Sequence, residues 1–235
     1  MSAMPPISPC IEKLEFWNEH RNDLKFVSRK KRESEDSKKR STDYFLKYIY
    51  KDQKIWAKGA LKVDDKKLTA YLEEASVLQK FQYNPNVVRF HFCMRSSASI
   101  IIFTEKMYDN LSDSRMDFYR KPLIEKLELL ISVNKVFIDM HHKDYIHGDV
   151  KPRNLMFDKS KKVIKVIDFG FSVPVGTEIR GHTKIYAAPE VFAKIDSELL
   201  ATKAQDVWSW VQTYLFLLFP KIYDVVQNME DCESY

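Results

Sequence analysis

Two polar clusters set into apolar sequence constrain this chain more than anything else in it. The first is Tyr145–Asp158, reading Tyr-Ile-His-Gly-Asp-Val-Lys-Pro-Arg-Asn-Leu-Met-Phe-Asp, which puts a carboxylate, an ammonium group and an amide within six positions at Asp149, Lys151 and Asn154. The second is Asp168-Phe169-Gly170, a carboxylate at the end of an apolar run, 19 residues after Asp149. Such a pattern demands a fold that buries the flanking apolar residues while letting two anionic sites converge on one metal-phosphate. Mg²⁺ suits that arrangement, because it takes hard oxygen donors and is typically held by one or two carboxylates plus phosphate.

The chain around these clusters is long enough, at 235 residues, for one large domain or two small lobes. With 45% hydrophobic and 30% charged residues it has the composition of a soluble globular protein. A formal charge of +5 is compatible with phosphate-bearing ligands. The basic residues form no module interleaved with aromatics, so no nucleic-acid partner is expected. Cys10, Cys93 and Cys232 stand apart with no CxxC spacing, which argues against a zinc site or a disulfide framework and for a reducing compartment. The prolines at Pro5, Pro6 and Pro9 precede no charged-then-apolar tandem of the signal-peptide kind. The longest apolar stretch, Val207–Phe219, is interrupted by Ser209, Gln212 and Thr213; it is too short to span a bilayer and reads as a buried core helix. The expectation is therefore an intracellular protein, cytoplasmic or nuclear, with no membrane partner.

In chain order, residues 1–22 read as a partly disordered tail containing a short polar helix near Ile11–His20. Leu24–Val27 reads as a strand, and the charge run Ser28–Arg40, without apolar periodicity, as a solvated loop. Tyr44–Tyr50 and Ile55–Val63 are β-prone runs that predict a hairpin across Lys51–Lys54. Leu68, Leu72, Ala75, Leu78 and Phe81 recur at helical spacing, with Glu74 on the same face as Leu78 and Phe81. Ser99–Glu105 predicts a strand. Leu123–His142 predicts the longest helix, with Leu123, Leu127, Leu130, Val133, Val136, Phe137 and Met140 as its buried stripe.

Taken together, the two polar clusters resemble the catalytic and metal-binding loops of eukaryotic protein kinases. Gly181-His182-Thr183-Lys184-Ile185-Tyr186-Ala187-Ala188-Pro189-Glu190 is similar to the family's substrate-platform segment ending in Ala-Pro-Glu, and Asp206-Val207-Trp208-Ser209 to the start of its central helix. His147-Gly148-Asp149 also resembles the loop of small-molecule kinases, which lack those two downstream elements. The resemblance covers roughly residues 24–235. It implies an α+β, bilobal protein-kinase-like fold: a small antiparallel β-sheet lobe with its hinge at 23–108 and a mainly helical lobe at 109–235, with the last helices missing.

The same resemblance implies a protein serine/threonine kinase that uses ATP and Mg²⁺ and acts on a Ser/Thr-bearing protein substrate. Asp149 would orient the attacking hydroxyl, Lys151 would neutralise the γ-phosphate, and Thr183 would bond to both. Asn154 and Asp168 would be the metal ligands. Lys62, in Ala60-Leu61-Lys62, would grip the nucleotide phosphates with Glu74 as its ion-pair partner. Thr104, Glu105, Met107 and Met156, with Ala60, would line the adenine site, and Asp206 would anchor the catalytic loop.

Three departures from the family pattern stand beside this. No glycine precedes Gly59, so the glycine-rich phosphate loop is missing and Ser28–Arg40 occupies its place. Either its lysines and arginines replace the backbone cradle, or nucleotide is bound poorly. Gly148 replaces the arginine that usually pairs with a phosphorylated loop, which implies activity independent of phosphate on Thr177 or Thr183. The chain stops at Tyr235, soon after the central helix, leaving the underside of Val207–Phe219 incompletely covered. It reads as a truncated product, a fragment, or a variant completed by a partner or a dimer. A pseudokinase or regulatory scaffold is the competing expectation.

Overall fold

In the computed structural model the described residues are 10–11, 23–31, 43–61, 63–95, 99–106, 109–159, 161–192, 199–221 and 223. The helix expected near Ile11–His20 lies outside them, as do Lys62 and Met107. The chain divides into two compact units, Met1–Gln82 with Val88–Met107, and Tyr83–Val87 with Tyr108–Tyr235.

The first unit is a six-stranded sheet covered by one helix. Its strands are β1 (Cys10–Ile11), β2 (Leu24–Lys31), β3 (Asp43–Tyr50), β4 (Gln53–Leu61), β5 (Phe90–Arg95) and β6 (Ser99–Glu105), in the spatial order β1-β5-β6-β4-β3-β2. All neighbours are antiparallel except β1 and β5. The β3–β4 hairpin turns on Lys51 and Asp52, at φ 46° and 60°. Two central residues of positive φ match the right-handed twist of the flanking strands, and here the turn does so without glycine. Alternation along the strands sends Tyr44, Leu46, Ile55, Ala57, Phe92 and Phe103 into one apolar cluster.

Ser28–Lys31, expected as the start of a solvated loop, instead continues β2 and pairs with Tyr44–Lys47 of β3. Strand pairing overrides the local charge because the ladder is made by backbone N–H and C=O groups, which every one of these residues carries. Residues 32–42 lie outside the described set.

Helix α1 (Asp65–Phe81) is capped by Asp64, whose carboxylate accepts the Lys67 backbone N–H at 2.7 Å. Its buried face is Tyr71, Glu74, Ala75, Val77, Leu78 and Phe81, and it packs on β5 and β6.

The second unit is mainly helical: α2 (Arg115–Tyr119), α3 (Leu123–His142), α4 (Pro189–Phe192) and α5 (Lys203–Leu218), with the short strands β7 (Asp109–Asn110), β8 (Tyr145–Ile146), β9 (Leu155–Asp158), β10 (Val163–Val166) and β11 (Val173–Pro174). β10, β9 and β7 form one small sheet, and β11 pairs with β8 as a second. The buried stripe of α3 is Leu129, Leu130, Val133, Val136, Phe137 and Met140. Leu123 and Leu127, expected within it, are exposed. In the first turns Lys126 is buried instead, its ammonium donating to the Tyr119 carbonyl at 3.0 Å and lying 4.9 Å from the Tyr119 ring centre.

Helix α5 departs further from expectation. Its start is fixed by a capping box between Thr202 and Gln205, and its fully buried residues are Gln205, Asp206, Thr213 and Leu217. Val207, Trp208, Val211, Leu215 and Phe219 are exposed, so the stretch read as a core helix turns its polar positions inward. The inward face serves the polar loop beside it. Among the described residues no helix is long and apolar enough to cross a membrane.

Candidate functional site

The polar loop is delivered by α3 and β8 and closed by the 3₁₀ turn Pro152–Asn154 that runs into β9. Proline opens that turn, where its missing N–H costs no hydrogen bond. Asp149, Lys151 and Asn154 are all buried, so their polar atoms must find one another. The Thr183 hydroxyl donates to one Asp149 carboxylate oxygen at 2.6 Å. Lys151 lies 2.9 Å from the other carboxylate oxygen and donates to the Thr183 hydroxyl at 2.6 Å. Asn154 Nδ2 donates to the Asp149 carbonyl at 2.8 Å and to the same carboxylate oxygen as Lys151 at 3.0 Å. Three side chains from two segments thus hold one carboxylate in a single orientation, one of them a cation.

The backbone under this cluster is held by Asp206, which is 1% exposed. Its two oxygens accept the N–H groups of His147, at 2.8 Å, and Gly148, at 2.9 Å. His141 Nε2 lies 3.0 Å from the first of these oxygens. The α5 N-terminus is therefore where the loop's otherwise unpaired donors are satisfied. His147 packs between Phe137 and Phe169, with ring centres 5.8 and 5.0 Å away.

Asp168 follows β10 at φ 59°, a left-handed conformation that aspartate tolerates better than most residues. Asn154 donates its Nδ2 to Asp149, so its amide oxygen is the atom that could take a cation. Asn154 and Asp168 thus offer the hard oxygen donors that suit Mg²⁺. Among the described residues no cluster of three or more His, Cys, Asp or Glu could hold a metal unaided. A site of this type depends on phosphate oxygens to complete the coordination. Met156, on β9, pairs in register with Lys165 and Asn110 and is half-buried.

In the first unit Glu74 is paired with a lysine other than the expected one, Lys58. Glu74 is 3% exposed and is held by Lys58, whose ammonium reaches both carboxylate oxygens at 2.9 and 2.8 Å. Lys58 sits on β4 opposite Ile102 of β6, on the sheet face that α1 covers. Lys62 lies outside the described residues. Ala60 is corrected: its side chain has no accessible surface and cannot line a ligand site. The residue two before the paired lysine is Trp56, half-buried on the same strand face, with the Lys47 ammonium 5.5 Å from its ring centre. Sequence reasoning missed both Lys58 and Trp56. The signal that could have found them was spacing, since Ile55 and Ala57 alternate inward and leave Lys58 facing the helix side, near the middle of the strand.

Thr104, half-buried, pairs in register with Trp56 and Phe90. The Glu105 N–H is committed to the Arg89 carbonyl at 2.9 Å, so recognition through Glu105 falls to its own carbonyl.

Comparisons with known proteins bear on the family and the fold. A family model described as "Protein kinase domain" matches residues 37–229. A probable myosin light chain kinase of Dictyostelium discoideum is 28% identical over 182 residues, covering 71% of this chain and 36% of that protein. Serine/threonine-protein kinase 17A of Oryctolagus cuniculus is 30% identical over 159 residues, covering 62% of this chain and 38% of its own length. The chain thus spans little more than a third of either relative. Among solved structures, the Cydia pomonella Granulovirus kinase PK-1 superposes with a TM-score of 0.66 at 18% identity, over 87% of this chain and 73% of the other, which establishes the fold. With a family model matched over most of its length and a kinase-like fold in both units, this chain belongs to the protein kinase domain family.

Proposed function

We propose that this protein transfers the γ-phosphate of ATP to serine or threonine hydroxyls of a protein substrate. The observation that carries the reading is the Asp149–Thr183–Lys151 set, with both short contacts to the Thr183 hydroxyl at 2.6 Å. A substrate hydroxyl donates its proton to Asp149 as its oxygen bonds to the γ-phosphorus, and the bond to the β,γ-bridging oxygen breaks. Lys151, already beside that carboxylate, meets the charge on the transferred group. Lys58, held extended by Glu74, grips the remaining phosphates. Asn154 and Asp168 would hold Mg²⁺, which would supply charge neutralisation on the phosphate oxygens.

A second reading, a scaffold with weak or no turnover, is favoured by two features. The β2–β3 hairpin contains no glycine in its sequence, and Trp56 replaces the small residue two before the lysine. The test is direct. Purified full chain with Mg²⁺-ATP and casein should incorporate phosphate, and Asp149→Asn and Lys58→Met should abolish it while Lys62→Met retains it. Incorporation no higher than in the Asp149→Asn control favours the scaffold; loss in Lys62→Met alone would reverse the lysine assignment.

A further inference from the structure

We infer that Phe171 is a positioning residue: it wedges between Gly148 and Gly181 and fastens the segment carrying Thr183 to the catalytic loop without needing a phosphate on that segment. The inference rests on the phosphoryl-transfer reading above and deepens it by naming how that site is held in register.

The packing leaves no latitude at Gly148. Its φ is 78°, and a Cβ there would stand 2.5 Å from the Phe171 carbonyl oxygen, 3.1 Å from the carbonyl carbon and 3.3 Å from the Phe171 Cβ. Backbone at that distance cannot rotate away. Glycine is therefore required, and the arginine that the family resemblance would place here is sterically excluded. At the other end of the ring, a Cβ on Gly181 would stand 3.0 Å from Phe171 Cζ and 3.3 Å from both Cε atoms. The Phe171 backbone thus abuts one glycine and its ring tip abuts the other.

The circuit this closes is short. Gly148 precedes Asp149 directly, and Gly181 lies two residues before Thr183, whose hydroxyl bonds Asp149 at 2.6 Å. One fastening is that hydrogen bond and the other is the aromatic wedge. Phe171 is itself seated: the Ser172 hydroxyl donates to the His147 carbonyl at 3.0 Å, and Val173 and Pro174 pair with Ile146 and Tyr145. A cavity of about 30 Å³ borders Phe171, Gly148, Gly181 and Asp206, room for about one water. Among the described residues neither Lys nor Arg lines it, so a phosphate on the segment would find no guanidinium or ammonium partner in that lining.

The test uses the full chain, treated with phosphatase, as wild type, Phe171→Ala, Phe171→Leu, Gly181→Ala and the Phe171→Leu/Gly181→Ala double variant. It reads kcat and KM with casein and Mg²⁺-ATP, and hydrogen exchange of amides 181–187. The wedge predicts an active phosphate-free wild type. Phe171→Ala should lower kcat about tenfold or more, with KM for ATP within about twofold and faster exchange in 181–187 but not in α3. Gly181→Ala should be impaired, and Phe171→Leu should rescue it, because the shorter side chain makes room for the added methyl. Unchanged exchange in Phe171→Ala, purely additive effects in the double variant, or a wild type that loses activity on phosphatase treatment would overturn the inference. A wild type inactive before phosphatase treatment overturns the phosphoryl-transfer reading instead, and the exchange comparison then decides the wedge by itself.

Discussion

Removing the Asp206 carboxylate should unfasten the catalytic loop. The carboxylate is 1% exposed and accepts the N–H groups of His147 and Gly148 at 2.8 and 2.9 Å, with His141 Nε2 at 3.0 Å. A buried donor left without an acceptor costs about 1–3 kcal/mol. Leaving both backbone N–H donors without their carboxylate acceptor in Asp206→Ala therefore costs about 2–6 kcal/mol, a large share of the ~5–15 kcal/mol that separates folded from unfolded domains. Asp206→Asn keeps one acceptor oxygen, so it should lie near half that loss. Trp208 and Trp210 lie on α5 itself, so urea unfolding followed by tryptophan fluorescence reports on this unit. Thr177→Ala, at an exposed hydroxyl bonded to the Pro174 carbonyl, serves as the control. An Asp206→Ala midpoint equivalent to less than about 0.5 kcal/mol below wild type would refute the claim that these two N–H groups depend on that carboxylate.

Other outcomes follow from the same geometry. Thr183→Ala removes a hydroxyl that bridges Asp149 and Lys151 and should lower kcat about tenfold or more, the worth of a hydrogen bond of ~1.4 kcal/mol, whereas Thr183→Ser should retain most activity. Steady-state assays of the pair decide whether the hydroxyl or the methyl matters. Gly148→Arg should destabilise rather than restore a phosphate clamp: a left-handed conformation alone costs an L-residue about 1–2 kcal/mol, before the 2.5 Å approach to the Phe171 carbonyl oxygen is counted. A thermal melt at or above wild type would contradict this.

Burial, followed by the nearby Arg89 charge, holds His91 below its ordinary pKa of 6.5. The unfolded chain then binds the proton more readily than the folded one below about pH 6.5, so this contribution to stability is present above that pH and lost as pH falls through the lower folded value. His91→Gln should flatten the acid side of the stability profile, and an unchanged slope in urea titrations from pH 7 to 5 would count against it.

Much of the chemistry was legible in the sequence because it is local. Asp149, Lys151 and Asn154 lie on one short turn, and Thr183 and Asp206 reach them through motifs whose order along the chain is itself informative. The strand Ser99–Glu105 and the helix Leu123–His142 also follow directly from their apolar patterns, since period and length are properties of contiguous residues.

What only the tertiary structure decided were choices between near-equivalent neighbours. Lys58 and Lys62 are four apart in the sequence, and the pairing of Glu74 with Lys58 depends on where α1 crosses the sheet, a distance no local pattern encodes. The apolar count of α5 predicts burial, yet its polar residues turn inward because the loop's N–H groups need Asp206 more than the core needs Val207 or Val211. Gly148 in the sequence is a missing arginine. In the fold it is the seat of Phe171, since close packing between segments 23 and 33 residues apart is set by three-dimensional contact alone.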